Sequence, residues 1–137
     1  MRNSVEQASA LLIQCFQNGG KLLLCGNGGS AADCAHIAGE LCKGFLLARA
    51  PEQDFVDAVG EPWAARLQRG LPAIDMTSAN ALMTAIVNDI GGEDIFAQQV
   101  MAYGKPGDVL MGLSTSGNAE NVRRAMLVAR ARGLNTI

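Results

Sequence analysis

Short continuous apolar runs alternate along this chain with longer stretches in which apolar residues recur at helical spacing. The continuous runs, which are typical of strands buried in a parallel sheet, lie at 21–26, 71–76, 109–114 and 134–137. Helical spacing marks 4–17, 30–44, 78–90, 93–103 and the long stretch that ends at Gly133. This alternation predicts an α/β fold in which helices cover both faces of a parallel sheet.

The segment 45–70 departs from the alternation. Its second part begins with Pro51 and acidic residues, and its apolar positions are interrupted between Gly60 and Pro62. One or two short amphipathic helices are the expected structure, as a helical insertion or lid beside the sheet. Residues 1–137 are short enough for a single domain, and we expect it to be incomplete at its C-terminus because the sequence ends inside an apparent strand.

Composition narrows the class of protein. Of 137 residues, 49% are apolar and 18% are charged, which argues against disorder. The formal net charge of −2 gives no electrostatic footprint for nucleic acid, and Arg123, Arg124, Arg130 and Arg132 are interpreted as a solvated helix face. There is no secretory signal pattern and no membrane-spanning apolar run. We therefore expect a cytoplasmic protein without nucleic-acid or membrane partners.

The four cysteines have no metal-binding spacing. Cys15, Cys25, Cys34 and Cys42 form no CxxC pair and fall within predicted helices or a strand. The favoured interpretation is buried free thiols in a reducing compartment, and a zinc–cysteine site is the alternative.

A glycine turn follows the first predicted strand, at Gly26 to Ser30. Ligands of open parallel sheets bind beyond the carboxyl ends of the strands, and glycines let backbone amides approach an anion at a helix N-terminus. The turn is not a dinucleotide fingerprint, because Ala31 stands where glycine is required, and no P-loop lysine follows. The alternatives are an anion-binding turn or merely a tight strand-to-helix connection.

Three hydroxyl residues follow the third predicted strand, within Ser114 to Asn118. One of them could cap the next helix, but three exceed what a cap needs. Hydroxyls and free amide groups without a lysine suit a phosphate monoester or a similar small anion.

Two further pairs carry candidate chemistry. His36 and Glu40 share one helix face at a spacing of i and i+4. They could ligate a divalent metal with two more ligands, or Glu40 could act as a general base; the alternative is a packed or capping imidazole. Asn88 and Asp89 could reach sugar hydroxyls, or could simply form the end of a helix.

The motifs together resemble those of a known family. The segments CGNGGSAADCAHIAGEL, NDIGGEDIFAQQV, GKPGDVLMGLSTSGNAENV and ARARGLNTI are similar to the sugar isomerase (SIS) domain, and more narrowly to the phosphoheptose isomerases. The resemblance covers nearly the whole chain except about 45–70. It implies a flavodoxin-like three-layer αβα sandwich and a homotetramer with active sites at subunit interfaces. It also implies conversion of sedoheptulose 7-phosphate to D-glycero-D-manno-heptose 7-phosphate, for lipopolysaccharide or surface-glycan heptose.

The resemblance assigns roles residue by residue. Phosphate binding falls to Ser30, Ser114, Thr115 and Ser116. Contacts with the sugar fall to Asn27, Gly28, Gly29, Asn88 and Asp89. His36 and Glu40 match two zinc ligands of the family, and Glu40 is also the implied catalytic base.

The sequence also departs from the family pattern. Ala119 replaces a common phosphate-binding serine, and Gly44 replaces a common arginine. The family's remaining zinc ligands and catalytic acid, a glutamine and a histidine, come from a C-terminal helix that is absent here, and His36 is the single histidine. Two alternatives to the isomerase therefore remain: a non-catalytic regulator of the replication-initiator-binding type, and a sensor or isomerase of another sugar phosphate. A sheet ending at Ile137 would expose an apolar edge, which oligomer contacts should cover unless the fold is only marginally stable.

Overall fold

A computed structural model describes residues 2–137 as one parallel sheet with helices on both faces. The strands are β1 (Leu22–Gly26), β2 (Ala73–Asp75), β3 (Val109–Leu113) and β4 (Asn135–Thr136). The helices are α1 (Arg2–Gln17), α2 (Gly29–Cys42), α3 (Gln53–Val59), α4 (Asn80–Asp89), α5 (Ile95–Tyr103) and α6 (Glu120–Ala131). Short 3₁₀ turns lie at Ala64–Arg66 and Gly92–Asp94. Within 2–137, no helix is both long and apolar enough to cross a membrane.

The strand order confirms the predicted fold class. The order is β2-β1-β3-β4, and every pair is parallel. The central pair runs from Leu22 opposite Val109 to Gly26 opposite Leu113. This is the order of flavodoxin-like sheets, in which the chain reverses its direction of winding between β1 and β3.

Two apolar clusters, one on each face of the sheet, hold the helices against it and give three layers. Leu22 and Leu24 of β1 pack with residues of α1 and α2 on one face of the sheet. Leu23 and Cys25 point to the other face and join a larger cluster with residues of α4, α5 and α6. Alternate residues of a strand point to opposite faces, so this strand must be apolar throughout. The αβα sandwich expected from the sequence is therefore confirmed.

The segment 45–70 forms α3 and a 3₁₀ turn, with the break at Gly60 that the sequence indicates. Its assignment as an insertion or lid stays a prediction. Gly44 fits against this segment: its N–H donates to Gln68 Oε1 at 2.7 Å, and an added Cβ would lie 2.7 Å from the backbone carbonyl oxygen of Leu47. The side chain of the common arginine is thus excluded here by close packing.

Two expectations about surface and core are wrong in part. Cys15, Cys25 and Cys34 are buried free thiols as predicted, but Cys42 is exposed at the end of α2. Burial raises the pKa of Cys25 to about 12 and that of Cys34 to about 11, so both stay protonated and are poor zinc ligands at neutral pH.

The arginines of α6 are also less solvated than expected. Arg123 and Arg130 are exposed, but Arg124 and Arg132 are half-buried. Arg124 donates to Asp94 and Glu93, and Arg132 donates to the carbonyl of Gly104 at 2.9 Å. The sequence pattern could not show these partners, since they lie on other elements.

An ion pair between the buried Asp108 carboxylate and the partly exposed Lys21 ammonium joins the amino ends of β1 and β3. Asp108 is 3% exposed and accepts hydrogen bonds from the Lys21 ammonium at 2.5 Å and from the Lys21 and Lys105 N–H groups at 3.0 and 2.8 Å. Burial by itself would raise the pKa of Asp108, but these bonds and the Lys21 charge outweigh it and hold the pKa below its usual range.

The start of α2 depends on one glycine. Gly28 adopts φ 57° and ψ −122° immediately before the helix, a backbone conformation that side-chain-bearing residues rarely adopt. Gly29, the next residue, has no such φ, and a Cβ there would meet open space. Position 28 therefore requires glycine, whereas position 29 does not.

Replacing Asp108 with Asn should destabilise the fold and flatten its response to acid. Removing one member of a buried ion pair lowers the free energy of unfolding by about 3 kcal/mol. The folded pKa is depressed, so the stabilisation exists above the unfolded pKa of 3.8 and disappears as the pH falls through the lower folded value. Urea titrations should show wild type losing stability below about pH 4 more steeply than Asp108→Asn.

The exposed pair between Glu52 and Arg69, at 3.1 Å, supplies the control. Glu52→Gln should leave the urea midpoint nearly unchanged, because water already screens this pair. Equal losses in the two variants would refute the special role of the buried pair.

Gly28→Ala should lower the melting temperature, whereas Gly29→Ala should not. The first substitution forces a strained backbone, at a cost of about 1–3 kcal/mol. The second places alanine in the first turn of a helix, where it is tolerated or slightly stabilising. Differential scanning calorimetry of the two variants measures the difference, and matching melting temperatures would show that the turn can rearrange.

Candidate functional site

Two loops lie next to each other where β1 and β3 end. The glycine turn follows Gly26 and the hydroxyl loop, Ser114–Asn118, follows Leu113; Gly26 and Leu113 are direct partners in the sheet. This is the place where the order of strands reverses, which in open α/β sheets is the usual ligand-binding crevice. The two loops that the sequence singled out are thus brought together.

The glycine turn presents free donors at the start of α2. The N–H of Ser30 bonds to the Asn27 carbonyl at 3.1 Å and that of Ala31 to the Gly28 carbonyl at 3.0 Å. Among the described residues, the N–H groups of Gly28 and Gly29 have no backbone acceptor. Unpaired N–H groups at the positive end of a helix favour an anion.

The hydroxyl loop does not cap α6. Ala119 occupies the N-cap position, and no side chain bonds to the first turn from there. Ser116 Oγ accepts from the Asn118 N–H at 3.2 Å within the loop itself. In the part of the chain that the structure describes, the hydroxyls of Ser114 and Thr115 have no hydrogen-bond partner. The capping alternative is wrong because the N-cap position belongs to Ala119, which follows all three hydroxyl residues and has no side chain that could cap the helix.

Arginine side chains supply positive charge beside this loop. Ser114 and Gly117 line a cavity of about 370 Å³ that Arg123 and Arg130 also line. Hydrogen bonds from Arg123 and Arg124 lower the pKa of Glu120 to about 2, so the single acid in the first turn of α6 is charged and fully paired. An anion at the loop therefore meets a paired carboxylate rather than a free one.

A reciprocal amide pair joins the two loops. Asn27 Nδ2 donates to Asn121 Oδ1 at 2.9 Å, and Asn121 Nδ2 donates to Asn27 Oδ1 at 2.9 Å. The Val122 N–H also donates to Asn121 Oδ1 at 2.9 Å. Sequence reasoning missed Asn121, because nothing in the local pattern shows a contact between residues 94 positions apart.

His36 and Glu40 lie close together on α2, as their spacing predicts. His36 Nε2 is 3.8 Å from Glu40 Oε1, and the imidazole side chain is 76% exposed. The packed-imidazole alternative is therefore wrong. Glu40 Oε2 is shielded from solvent and makes no hydrogen bond, although the Lys43 ammonium lies 3.8 Å away.

The pair offers a metal two donors of suitable type. An imidazole and a carboxylate are both common zinc ligands, and the unbonded Glu40 oxygen is available to one. Within residues 2–137, however, no group of three or more His, Cys, Asp or Glu side chains could hold a metal ion. The chain thus fits half of a four-ligand site.

The His36–Glu40 pair opens into an apolar cavity away from the loops. The cavity has a volume of about 390 Å³ and is walled by Leu12, Leu22, Ile37, Leu41 and Met111. Leu22 is the first residue of β1, whereas the glycine turn follows the last. Ten residues of helix separate Ser30 from Glu40, which is about 15 Å along the axis. The structure does not bring the two parts of the predicted site together within one chain.

Asn88 and Asp89 are exposed at the end of α4, where the helix-end alternative placed them. Asn88 Nδ2 donates to Asp89 Oδ1 at 2.7 Å. In the described residues neither side chain bonds to the glycine turn or the hydroxyl loop.

Known proteins share both sequence and fold with this chain. The SIS domain family matches residues 1–68 and 64–137. The chain is 42% identical over 133 residues to the phosphoheptose isomerase of Chlorobaculum parvum. This alignment covers 97% of this chain and 56% of that protein. It is 42% identical over 137 residues to the phosphoheptose isomerase of Aliarcobacter butzleri. This alignment covers 100% of this chain and 62% of that protein.

Two solved structures of phosphoheptose isomerases have the same fold as this chain. The phosphoheptose isomerase of Francisella tularensis superposes with a TM-score of 0.80 at 32% identity, over 98% of this chain and 60% of that one. That of Neisseria gonorrhoeae superposes with a TM-score of 0.74 at 38% identity, over 95% of this chain and 57% of that one. The chain thus spans between 56% and 62% of the length of these relatives. Since the family match extends over the entire sequence and the solved isomerases have the same fold, this chain belongs to the SIS domain family.

Proposed function

We propose that this chain binds a sugar phosphate and works as a phosphoheptose isomerase, converting sedoheptulose 7-phosphate to D-glycero-D-manno-heptose 7-phosphate. The observation that carries the proposal is the junction of the glycine turn and the hydroxyl loop at the carboxyl ends of β1 and β3. The free N–H groups of the glycine turn, together with the hydroxyls of the other loop and the nearby arginines, suit a phosphate monoester. The similarity to phosphoheptose isomerases supports a heptose as the sugar of this proposal.

The proposed reaction moves one proton between neighbouring carbons. A base removes a proton from C1 of the ketose while the C2 carbonyl oxygen gains one, which gives an enediol. A proton then returns to C2 as the C1 hydroxyl loses its own, which gives the aldose. We assign the base to Glu40, because one of its oxygens has no hydrogen bond and lies against apolar side chains.

His36 and Glu40 would also provide two ligands of a zinc ion, with the remainder supplied from outside the described residues. When bound, zinc supplies Lewis-acid polarisation of a sugar oxygen. The residues of this chain do the rest: the loops bind phosphate, and the Glu40 carboxylate takes and returns the proton.

The geometry favours a site shared between two copies of the chain. A seven-carbon sugar phosphate spans about 10 Å from C1 to phosphorus at full extension, since three skeletal bonds span about 3.6 Å. Glu40 lies about 15 Å along α2 from the phosphate-binding end of the same helix. We therefore propose a homo-oligomer, a tetramer by family likeness, in which the loops of one copy face Glu40 of another.

A second candidate is sugar-phosphate binding without catalysis, as in a regulator or sensor. It is favoured by the lack of a third metal ligand among residues 2–137. The glycine turn and hydroxyl loop would serve it equally well, whereas it leaves the unbonded Glu40 oxygen without a purpose. For the isomerase, we propose the cytoplasm as its location and heptose supply for surface glycans as its role.

Proton NMR in deuterated water with zinc and sedoheptulose 7-phosphate should show aldose signals and deuterium at C2. Glu40→Gln should reduce the rate by about 10²–10⁴-fold, as expected for loss of a general base, and should keep the phosphate affinity. Conversion that survives unchanged in Glu40→Gln would refute the assigned base. Line broadening of the sugar without conversion would favour the binding-only candidate.

Mixing two inactive variants should restore activity if sites are shared. Ser116→Asp keeps an acceptor for the Asn118 N–H but repels phosphate, and Glu40→Gln removes the base. Random assembly of the two would give roughly a quarter of sites an intact loop and an intact Glu40 from different copies. Ser116→Asp mixed with the double variant Glu40→Gln/Ser116→Asp is the control, since no chain then has an intact loop. Mixtures as inactive as this control would contradict the shared site.

A further inference from the structure

Asn121 stands out among the polar residues of the site because none of the assigned roles includes it. It is half-buried at the second position of α6, and its side chain reaches the glycine turn that follows β1. Both of its amide atoms are engaged: the oxygen accepts twice and the nitrogen donates once. A side chain with these three bonds has a single possible orientation.

A backbone N–H group fixes the orientation of the Asn121 amide. The Val122 N–H can only donate, so the Asn121 atom that faces it must be the oxygen. Asn27 must then turn its NH₂ group toward that oxygen and its own oxygen toward the Asn121 nitrogen. Reversing either amide alone would set donor against donor and acceptor against acceptor. The first turn of α6 therefore decides which way the Asn27 amide points.

Asn27 retains binding capacity in this fixed orientation. An asparagine amide has two donor hydrogens and two acceptor lone pairs, and the pair with Asn121 uses one of each. One hydrogen and one lone pair of the exposed Asn27 amide are left for a ligand. A sugar hydroxyl, which both donates and accepts, can bond to this free hydrogen and this free lone pair.

We propose that Asn121 is a positioning residue that orients the Asn27 amide and holds the glycine turn against the hydroxyl loop, so that a sugar phosphate meets a preformed site. The inference rests on the proposed function, since it concerns the same sugar-phosphate site. It differs from a structural role in one respect: Asn121 acts on the ligand only through Asn27. Alanine is a better helix former than asparagine, so Asn121→Ala should not weaken α6 itself.

The test is a double-mutant cycle on ligand affinity. Sedoheptulose 7-phosphate is titrated into wild type, Asn27→Ala, Asn121→Ala and the double variant, followed by protein amide NMR. We expect Asn121→Ala to weaken binding about tenfold, as the loss of the two hydrogen bonds between Asn121 and Asn27 predicts. Because Asn121 works through Asn27, the double variant should bind no more weakly than Asn27→Ala alone.

Two controls separate positioning from general damage. Asn18→Ala removes an exposed asparagine at the opposite end of β1 and should change neither affinity nor melting temperature. In the absence of any ligand, hydrogen exchange at the Ser30 and Ala31 amides, which donate to the Asn27 and Gly28 carbonyls, should accelerate in Asn121→Ala and stay unchanged in Asn18→Ala.

The outcomes distinguish this inference from the proposed function. Wild-type binding that Asn121→Ala leaves intact, or a double variant much weaker than Asn27→Ala, would overturn the positioning role alone. Wild type that binds neither sedoheptulose 7-phosphate nor inorganic phosphate would overturn the proposed function, and the inference would fall with it.

Discussion

The five-residue parallel ladder between β1 and β3 determines where every loop of the site lies. Parallel strands must be joined by crossovers, so consecutive strands deliver their carboxyl ends to the same edge of the sheet. Gly26 and Leu113 are partners in this ladder, and the residues that follow them diverge into two helices. A register shift of one residue would turn Leu23 and Cys25 to the wrong face of the sheet and would separate the two loops. Packing of the core thereby fixes the spacing of the site.

The two ends of the same ladder are stabilised differently. At the amino ends, the Asp108 carboxylate satisfies backbone donors from two connections and pairs with Lys21. At the carboxyl ends, N–H groups and hydroxyls remain unpaired, and the two amides of Asn27 and Asn121 bridge the gap. Unpaired donors cost little where water reaches them, and they are what an anion requires. Hydrogen-bonded backbone donors are thus concentrated at one end of the ladder and unpaired donors at the other.

The sequence predicted what depends on local pattern. Continuous apolar runs revealed the strands, and the turn residues after two of them revealed both loops. The links between elements could not be predicted, because an amide pair such as Asn27–Asn121 or an ion pair such as Arg124–Asp94 depends on tertiary proximity. The expectation for Cys42 failed for a related reason: a position within an apolar helix does not show which side faces solvent at its last turn. The roles of the site residues, the zinc ion and the tetramer stay predictions.

Glu40 is the residue that a stability argument alone does not explain. An oxygen of a carboxyl group that is removed from water without a hydrogen bond carries a desolvation cost of about 1–3 kcal/mol. The Lys43 ammonium lies 3.8 Å from that oxygen, and His36 Nε2 lies 3.8 Å from the other oxygen of the carboxyl group, and both distances are too long for a hydrogen bond. Alanine or leucine at this position would extend the apolar wall formed by Ile37 and Leu41 without that cost. A hydrogen bond to that oxygen from a sugar, a metal ion in contact with it, or a second copy of the chain would each make the cavity part of a working site rather than a defect in the core.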